Sequence, residues 1–228
     1  MDLWRQDQQE LEMEANTEGL LLKGNYFGEP GYIEHDLRKG TMQNRAGVRM
    51  LALTDDFLLA FCNSLEGQMG DRALPVLKAT GREWGRKAAE QFAAQMQQHF
   101  GKALLDLPMA MFSANLAQAF EHHGWGTFQF GFSRYDRGLL TVEVETPMLG
   151  ASVRQGGQPV ETLLAGFLSG MFSVFSGTEL DCLQTDCFSC GADRSRFVIT
   201  VPERLQPLAG HGRKNHADVL AALEQTRV

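Results

Sequence analysis

Apolar residues recur at helical spacing in four stretches of the chain. The first stretch opens at Thr54, a good N-cap residue, and ends near Gly67. The second runs over about 72–100, and the third begins near Pro108. The fourth covers 160–175, and its apolar stripe predicts a helix packed on a core. The reverse face of this fourth helix carries small residues, which allow another backbone to come close: Gly166, Ser169, Gly170, Ser173 and Gly177.

The period of the apolar positions changes to two after the third helix. Residues 127–132 and 140–145 alternate apolar with polar or small side chains around a turn at 135–138. This alternation predicts an antiparallel hairpin with one apolar face. The run RFVITV predicts a last strand, and HADVLAALEQTR predicts a short terminal helix. Ahead of the helices, the Gly-rich run at 19–42 suggests short strands or extended turns.

This order of elements predicts an α+β fold in which helices pack on one face of a small antiparallel sheet. We expect a single domain with an N-terminal arm and a short C-terminal helix. The expected boundaries are a polar leader and extended arm at 1–47, the α+β domain at 48–202, and a tail with a short helix at 203–228.

The composition allows one core of ordinary size, because 43% of the 228 residues are hydrophobic. The formal net charge is −7, and the Lys and Arg residues are scattered, which disfavours binding to nucleic acid or to anionic lipid. The first 19 residues lack the basic and apolar blocks of a secretion signal, and no apolar run is long enough for a transmembrane segment. We therefore expect a cytoplasmic protein whose cysteines are thiols or metal ligands.

Three of the four cysteines, Cys182, Cys187 and Cys190, lie within nine residues. Their spacing is that of a plant-type iron–sulfur loop, but the fourth downstream cysteine is missing. Cys187 and Cys190 have the spacing of a zinc knuckle without the usual second pair of ligands. As a redox pair they would precede a strand instead of a helix N-terminus. Reduced thiols packed in a turn are the remaining interpretation.

The segment after the fourth helix carries the motif Gln184-x-x-Cys187-x-x-x-Gly191-x-x-x-Ser195-x-Phe197-x-Ile199. This motif resembles that of the 4-vinyl reductase domain family, in which Glu-x-x-Cys is followed by Gly and then by Cys-x-Phe. The family includes proteins linked to bacteriochlorophyll vinyl reduction, sensor domains of phenol- and xylene-responsive activators, and relatives of vesicle-tethering subunits. The resemblance covers about 48–202 and implies a compact α+β domain that forms a homodimer and encloses a small apolar ligand.

The resemblance also implies a zinc site. In the aromatic sensors the ligands are Cys, Glu, Cys and Cys, which fall here on Glu161, Gln184, Cys187 and Ser195. Only Cys187 is unchanged, and Gln and Ser are poor zinc ligands beside carboxylate and thiolate. A rebuilt site of three thiolates and one carboxylate would use a different set: Cys182, Cys187, Cys190 and Glu161.

The resemblance further implies that apolar side chains of the hairpin and its flanking helices line a ligand pocket, although the same residues can simply form the core. Met and aromatic side chains together make an adaptable apolar lining. The candidate ligand-binding residues are Trp125, Phe128, Phe130, Phe132, Met111, Phe112, Phe167 and Met171.

Catalysis has little support in the sequence. No Gly-rich turn is suited to a dinucleotide, and no nucleophile, base and acid stand at a recognisable spacing. We therefore expect a non-catalytic domain that binds a hydrophobic, aromatic or tetrapyrrole molecule and acts as a homodimer. Two alternatives remain open: a scaffold or assembly factor that works through an unknown protein partner, and an accessory enzyme of tetrapyrrole (chlorophyll) biosynthesis.

Overall fold

The computed structural model of the chain describes residues 26–27, 31–149, 161–208 and 215–225. The predicted polar leader lies outside these residues. Within the described ranges, no helix combines the length and the apolar character needed to cross a membrane. The elements, in chain order, are β1 Ile33–Asp36, β2 Thr41–Asn44, β3 Arg49–Met50, α1 Asp55–Met69, α2 Ala73–Phe100, α3 Met109–His122, β4 Thr127–Gly131, β5 Leu140–Glu145, α4 Thr162–Ser176, β6 Asp181–Asp186, β7 Ser195–Thr200, α5 Pro202–Leu205 and α6 His216–Gln225.

The predicted α+β class is confirmed, and so are the four helices, the hairpin, the last strand and the terminal helix. The chain divides into two compact units. One contains the described residues through Ala52 together with Gln91–His122, and the other contains Leu53–Glu90 together with the described residues from His123 onward. Helix α2 therefore contributes residues to both units.

The first unit is held together by aromatic side chains beside a three-stranded antiparallel sheet, β1-β2-β3. Phe27 is buried, stacks on Phe92 at a ring-centroid distance of 5.9 Å, and meets Tyr32 edge-on at 4.9 Å. The backbone N–H of Tyr26 donates to Oδ1 of Asn115 at 3.1 Å. Burial raises the pKa of Tyr32 to about 12, so its hydroxyl stays protonated. These contacts anchor residues that the sequence suggested to be an extended arm.

The second unit contains a four-stranded antiparallel sheet in the order β4-β5-β7-β6. The hairpin has the alternation that the sequence predicted, because Phe128 pairs with Val144 and Phe130 pairs with Val142. Val142 in turn pairs with Phe197 on β7. Paired residues share a face of the sheet, so these side chains form one apolar face, which is buried at its centre.

Helices α2 and α4 cross with their backbones in contact. An ideal Cβ at Gly81 or Gly85 of α2 would stand 2.1 or 2.0 Å from a carbonyl oxygen of α4. The relation is mutual, since a Cβ at Gly166 or Gly170 of α4 would stand 2.1 or 2.0 Å from a carbonyl oxygen of α2. Two Gly-x-x-x-Gly pairs therefore face each other, as the small residues on the reverse face of α4 predicted. The opposite side of α4 packs on β6 and β7.

The other face of the sheet is covered by α6. Val219 and Leu223 of this helix pack in one core cluster with Val198, whose side chain points away from the face that carries Phe197. The buried Arg204 donates hydrogen bonds to the carbonyl oxygens of Arg137, at 2.7 Å, and of Leu223. The sequence predicted helices on one face only, whereas the segment assigned to the tail supplies a helix for the second face.

His216 fastens the first turn of α6 to the sheet. Its Nδ1 lies 2.7 Å from the hydroxyl oxygen of Thr185, and that hydroxyl donates its one hydrogen to the carbonyl oxygen of Arg196 at 3.0 Å. The Thr185 oxygen therefore accepts from Nδ1–H of His216. Burial lowers the pKa of His216, with Asp186 and Glu143 opposing and Arg196 and Arg134 adding smaller effects.

Alanine at Gly81 is expected to destabilise the second unit. Its Cβ meets a backbone oxygen, which cannot rotate away, so we expect a loss of about 1 to 3 kcal/mol or more in the free energy of unfolding. Gly67→Ala in α1 is the matched control, because a Cβ there meets nothing within 4 Å and the change should stabilise by about 0.5 to 1 kcal/mol. Urea unfolding of both variants measures the difference, and equal stabilities would contradict the crossing.

Stability is expected to decrease at acid pH through the titration of His216. Because the pKa is lower in the folded protein, the unfolded chain binds the proton first as pH falls below about 6.5. The imidazole thus contributes stability that is present above that pH and lost below it. Thermal unfolding of wild type and His216→Gln at pH 7.5 and pH 5.5 should show a smaller decrease in the variant. An identical decrease in both proteins would assign the pH dependence to other groups.

Candidate functional site

Three aromatic residues meet where α2 crosses α4. The ring centroids of Trp84 and Trp125 lie 4.8 Å apart, and Phe167 lies 5.1 Å from Trp84 and 4.8 Å from Trp125. All three contacts are edge-to-face, the geometry that aromatic quadrupoles favour. Phe167 is buried, whereas Trp84 is 42% exposed, so this aromatic triad reaches from the core to the surface.

The crossing itself positions the triad. Trp84 directly precedes Gly85, and Phe167 directly follows Gly166, so both rings grow from the points of closest backbone approach. Trp125 joins them from the turn before β4. The sequence prediction named Trp125 and Phe167 but missed Trp84. Two glycine pairs at the same four-residue spacing on two helices are the signal that indicates which aromatic side chains meet.

A row of phenylalanines follows the hairpin. Phe128, Phe130 and Phe132 stack in sequence, with ring-centroid distances of 6.0 and 6.5 Å. Phe172 of α4 lies 5.9 Å from Phe130 and 6.5 Å from Phe132. The structure thus brings the three predicted hairpin residues together with α4, on which the predicted residue Met171 is also buried. Phe172 belongs to this row, although the sequence prediction left it out.

The two remaining predicted ligand-binding residues, Met111 and Phe112, belong to the first unit. Both are buried on α3, and the ring of Phe112 lies 6.2 Å from that of Phe92. Their contribution to one binding space with the hairpin residues stays a prediction.

The cysteines that the sequence suggested as zinc ligands occupy different local environments. Cys182 is buried on β6 opposite Ile199, and burial raises the pKa of its thiol. Cys187 is buried after the end of β6, with its Sγ 3.0 Å from Oγ of Ser189, and Cys190 is half-buried. Among the residues that the structure describes, no three Cys, His, Asp or Glu side chains form a group that could hold a metal ion. Zinc on the three cysteines and Glu161 stays a prediction.

Three of the positions onto which the resemblance carries zinc ligands are hydrogen-bonded to each other. Nε2 of Gln184 donates to Oε2 of Glu161 at 3.0 Å and to Oγ of Ser195 at 3.4 Å. The backbone N–H of Glu161 donates to Oε1 of Gln184 at 3.3 Å. We call Glu161, Gln184 and Ser195 the amide cluster. Its amide and hydroxyl are poor substitutes for carboxylate and thiolate, so this set does not fit zinc.

Comparison with known proteins identifies the class of this fold. Residues 140–201, which contain β5, α4, β6 and β7, match the family model of the 4-vinyl reductase domain. The family recognised from the sequence is thereby confirmed over this stretch, and the chain carries a 4-vinyl reductase domain. A search of curated proteins gave no match.

Solved structures give a wider match. The crystal structure of the phenol-responsive sensory domain of the transcription activator PoxR with phenol is similar at a TM-score of 0.61 and 16% identity, over 94% of this chain and 98% of that chain. A vinyl-4-reductase family protein from Methanocaldococcus jannaschii has a TM-score of 0.43 and 12% identity, over 88% and 98% of the two chains. Subunit 3 of a trafficking protein particle complex from Naegleria fowleri, covalently bound to palmitic acid, has a TM-score of 0.47 and 17% identity, over 64% and 93%. At this identity, the likeness to the PoxR domain establishes a shared fold.

Proposed function

We propose that this chain is a non-catalytic, cytoplasmic sensing domain whose ligand is a small hydrophobic molecule, with an aromatic compound as the first candidate. The aromatic triad carries the proposal, because it combines a buried Phe167 with a Trp84 that is 42% exposed. An aromatic ligand can add a fourth ring to three that already meet edge-to-face. The fold shared with a phenol-responsive sensory domain supports the same class of ligand.

The surroundings of the triad favour binding over catalysis. Helix α4 supplies a nearly continuous buried apolar surface from Leu163 to Phe172. The acidic residue Glu143 on the sheet's other face is paired with Arg194 at 3.0 Å and with Arg196 at 3.7 Å, so its carboxylate has a structural partner. A tetrapyrrole is the larger member of the same ligand class, and its size distinguishes it experimentally from phenol.

Ligand binding is expected to depend on Trp84. We would titrate wild type, Trp84→Leu and the control Phe57→Leu with phenol, indole and protoporphyrin, and follow tryptophan fluorescence and heat of binding. One lost aromatic contact of about 0.5 to 1.5 kcal/mol weakens the affinity about 3- to 10-fold. Phe57 is an exposed aromatic residue on α1, so its replacement should leave the affinity unchanged. Failure of all three compounds to bind wild type, or equal affinity in Trp84→Leu, would contradict the proposal.

We also propose that the domain is a homodimer in which a second copy covers the outer face of α1. The inner face of this helix packs Cys62 against Leu77 and Leu149, whereas Phe57 and Phe61, one turn apart, are 54% and 44% exposed. An uncharged apolar strip is complementary to itself, which is the requirement of a two-fold interface. Within the described residues this face is among the largest exposures of aromatic surface, and such exposure marks interaction sites.

The dimer is expected to dissociate when charge is placed on α1. Light scattering after size exclusion should give wild type a mass twice the 25.3 kDa of one chain. Phe61→Glu should give the mass of one chain, because two carboxylates would be buried at the two-fold interface. Leu37→Glu, at an exposed turn of the first unit, should remain dimeric. A monomeric wild type would overturn the dimer and leave the α1 face to a different protein, which is the scaffold alternative.

A further inference from the structure

The orientation of the Gln184 amide is set by its partners in the amide cluster. The backbone N–H of Glu161 can only donate, so the amide oxygen must face it and the amide NH2 must face the carboxyl and the hydroxyl. The two N–H donors of Gln184 therefore occupy the space between Glu161 and Ser195. A cation at this point would meet hydrogen atoms that carry partial positive charge.

Burial makes this amide necessary. Glu161 and Ser195 are both completely buried. A buried carboxyl without a donor is costly, and the neutral amide supplies a donor without adding charge. A carboxylate at position 184 would instead place two acidic groups together and would require a positive ion between them.

The cluster joins the same parts of the fold that a shared ion would join. Glu161 immediately precedes α4, Gln184 lies on β6, and Ser195 begins β7. Oγ of Ser195 also accepts the backbone N–H of Phe188 at 3.1 Å, which fixes the turn directly after Cys187. Helix, two strands and turn are thus connected through three side chains.

We infer that the amide cluster has replaced the metal at these positions, so that this 4-vinyl reductase domain folds and remains stable without a bound ion. Gln184 takes the central place and Ser195 holds the turn. The inference concerns the stability of the second unit and is independent of the proposed ligand binding.

Metal content and chelation test the inference on the wild-type protein. After expression in zinc-supplemented medium, elemental analysis should find far less than one zinc per chain, and a zinc chelator should leave the midpoint of thermal unfolding unchanged. One equivalent of zinc, or a lower midpoint after chelation, would overturn it. That result would instead support zinc on the cysteines and Glu161.

Replacement of the amide tests its role directly. Gln184→Met keeps the length of the side chain and removes both donors from the buried carboxyl and hydroxyl, so the midpoint should fall by about 4 to 10 °C. Gln129→Met, at an exposed position of β4, is the matched control and should leave the midpoint unchanged. Equal midpoints in the two variants would overturn the role of Gln184.

Restoring the ligand types tests whether the positions surround one point. The triple variant Glu161→Cys, Gln184→Glu, Ser195→Cys combines these changes with the native Cys187 to offer three thiolates and a carboxylate. It should take up one zinc per chain and become sensitive to chelator. A folded triple variant that takes up no zinc would overturn the inference, because the amide cluster would then not occupy a former metal position.

Discussion

The close crossing of α2 and α4 is the constraint on which the second unit depends. Four glycines stand where any Cβ would come within about 2 Å of a carbonyl oxygen of the opposite helix. Backbones that approach this closely leave no room for the helices to slide, because each glycine faces the peptide carbonyl of its neighbour and not a movable side chain. The register of α2 against α4 is therefore fixed by the absence of four side chains.

This register determines which functional groups meet. Trp84 and Phe167 stand beside the glycines and come together because the helices cross there. On the flank of the same crossing, Lys78 and Arg82 pair with Asp181 at the start of β6, at 2.8 and 2.9 Å. Partly exposed ion pairs contribute little to stability, so the apolar crossing and the sheet contacts provide the main energy. The amide cluster then closes the far end of α4 against β6 and β7.

The sequence predicted elements better than contacts. The helices and the hairpin follow from the period of their apolar residues, and the small face of α4 was visible in the same way. Strand β6 was not predicted, because LDCLQTD mixes polar and apolar residues, and its stability comes from pairing with β7 across a turn. Helix α6 was predicted, but its place on the second face of the sheet depends on Val198 and Arg204, which are distant in sequence from its own residues.

The candidate site shows the same division. The residue types of Trp125, Phe167 and the hairpin phenylalanines indicated an aromatic site, whereas Trp84 could be assigned only from the helix crossing. The amide cluster depends on a tertiary contact over 23 residues between Glu161 and Gln184. Substitution of the ligand types was visible in the sequence, but the hydrogen bonds that replace them were not.

Circular dichroism of Gly85→Ala tests the central claim most directly. Two indoles at 4.8 Å and an interplanar angle of 61° couple their electronic transitions, so folded wild type should show an exciton couplet in the far ultraviolet. A Cβ at Gly85 stands 2.0 Å from the carbonyl oxygen of Phe167, so the variant must separate the helices and lose the couplet. A folded variant that keeps the couplet at full strength would contradict the claim that this crossing positions the aromatic triad.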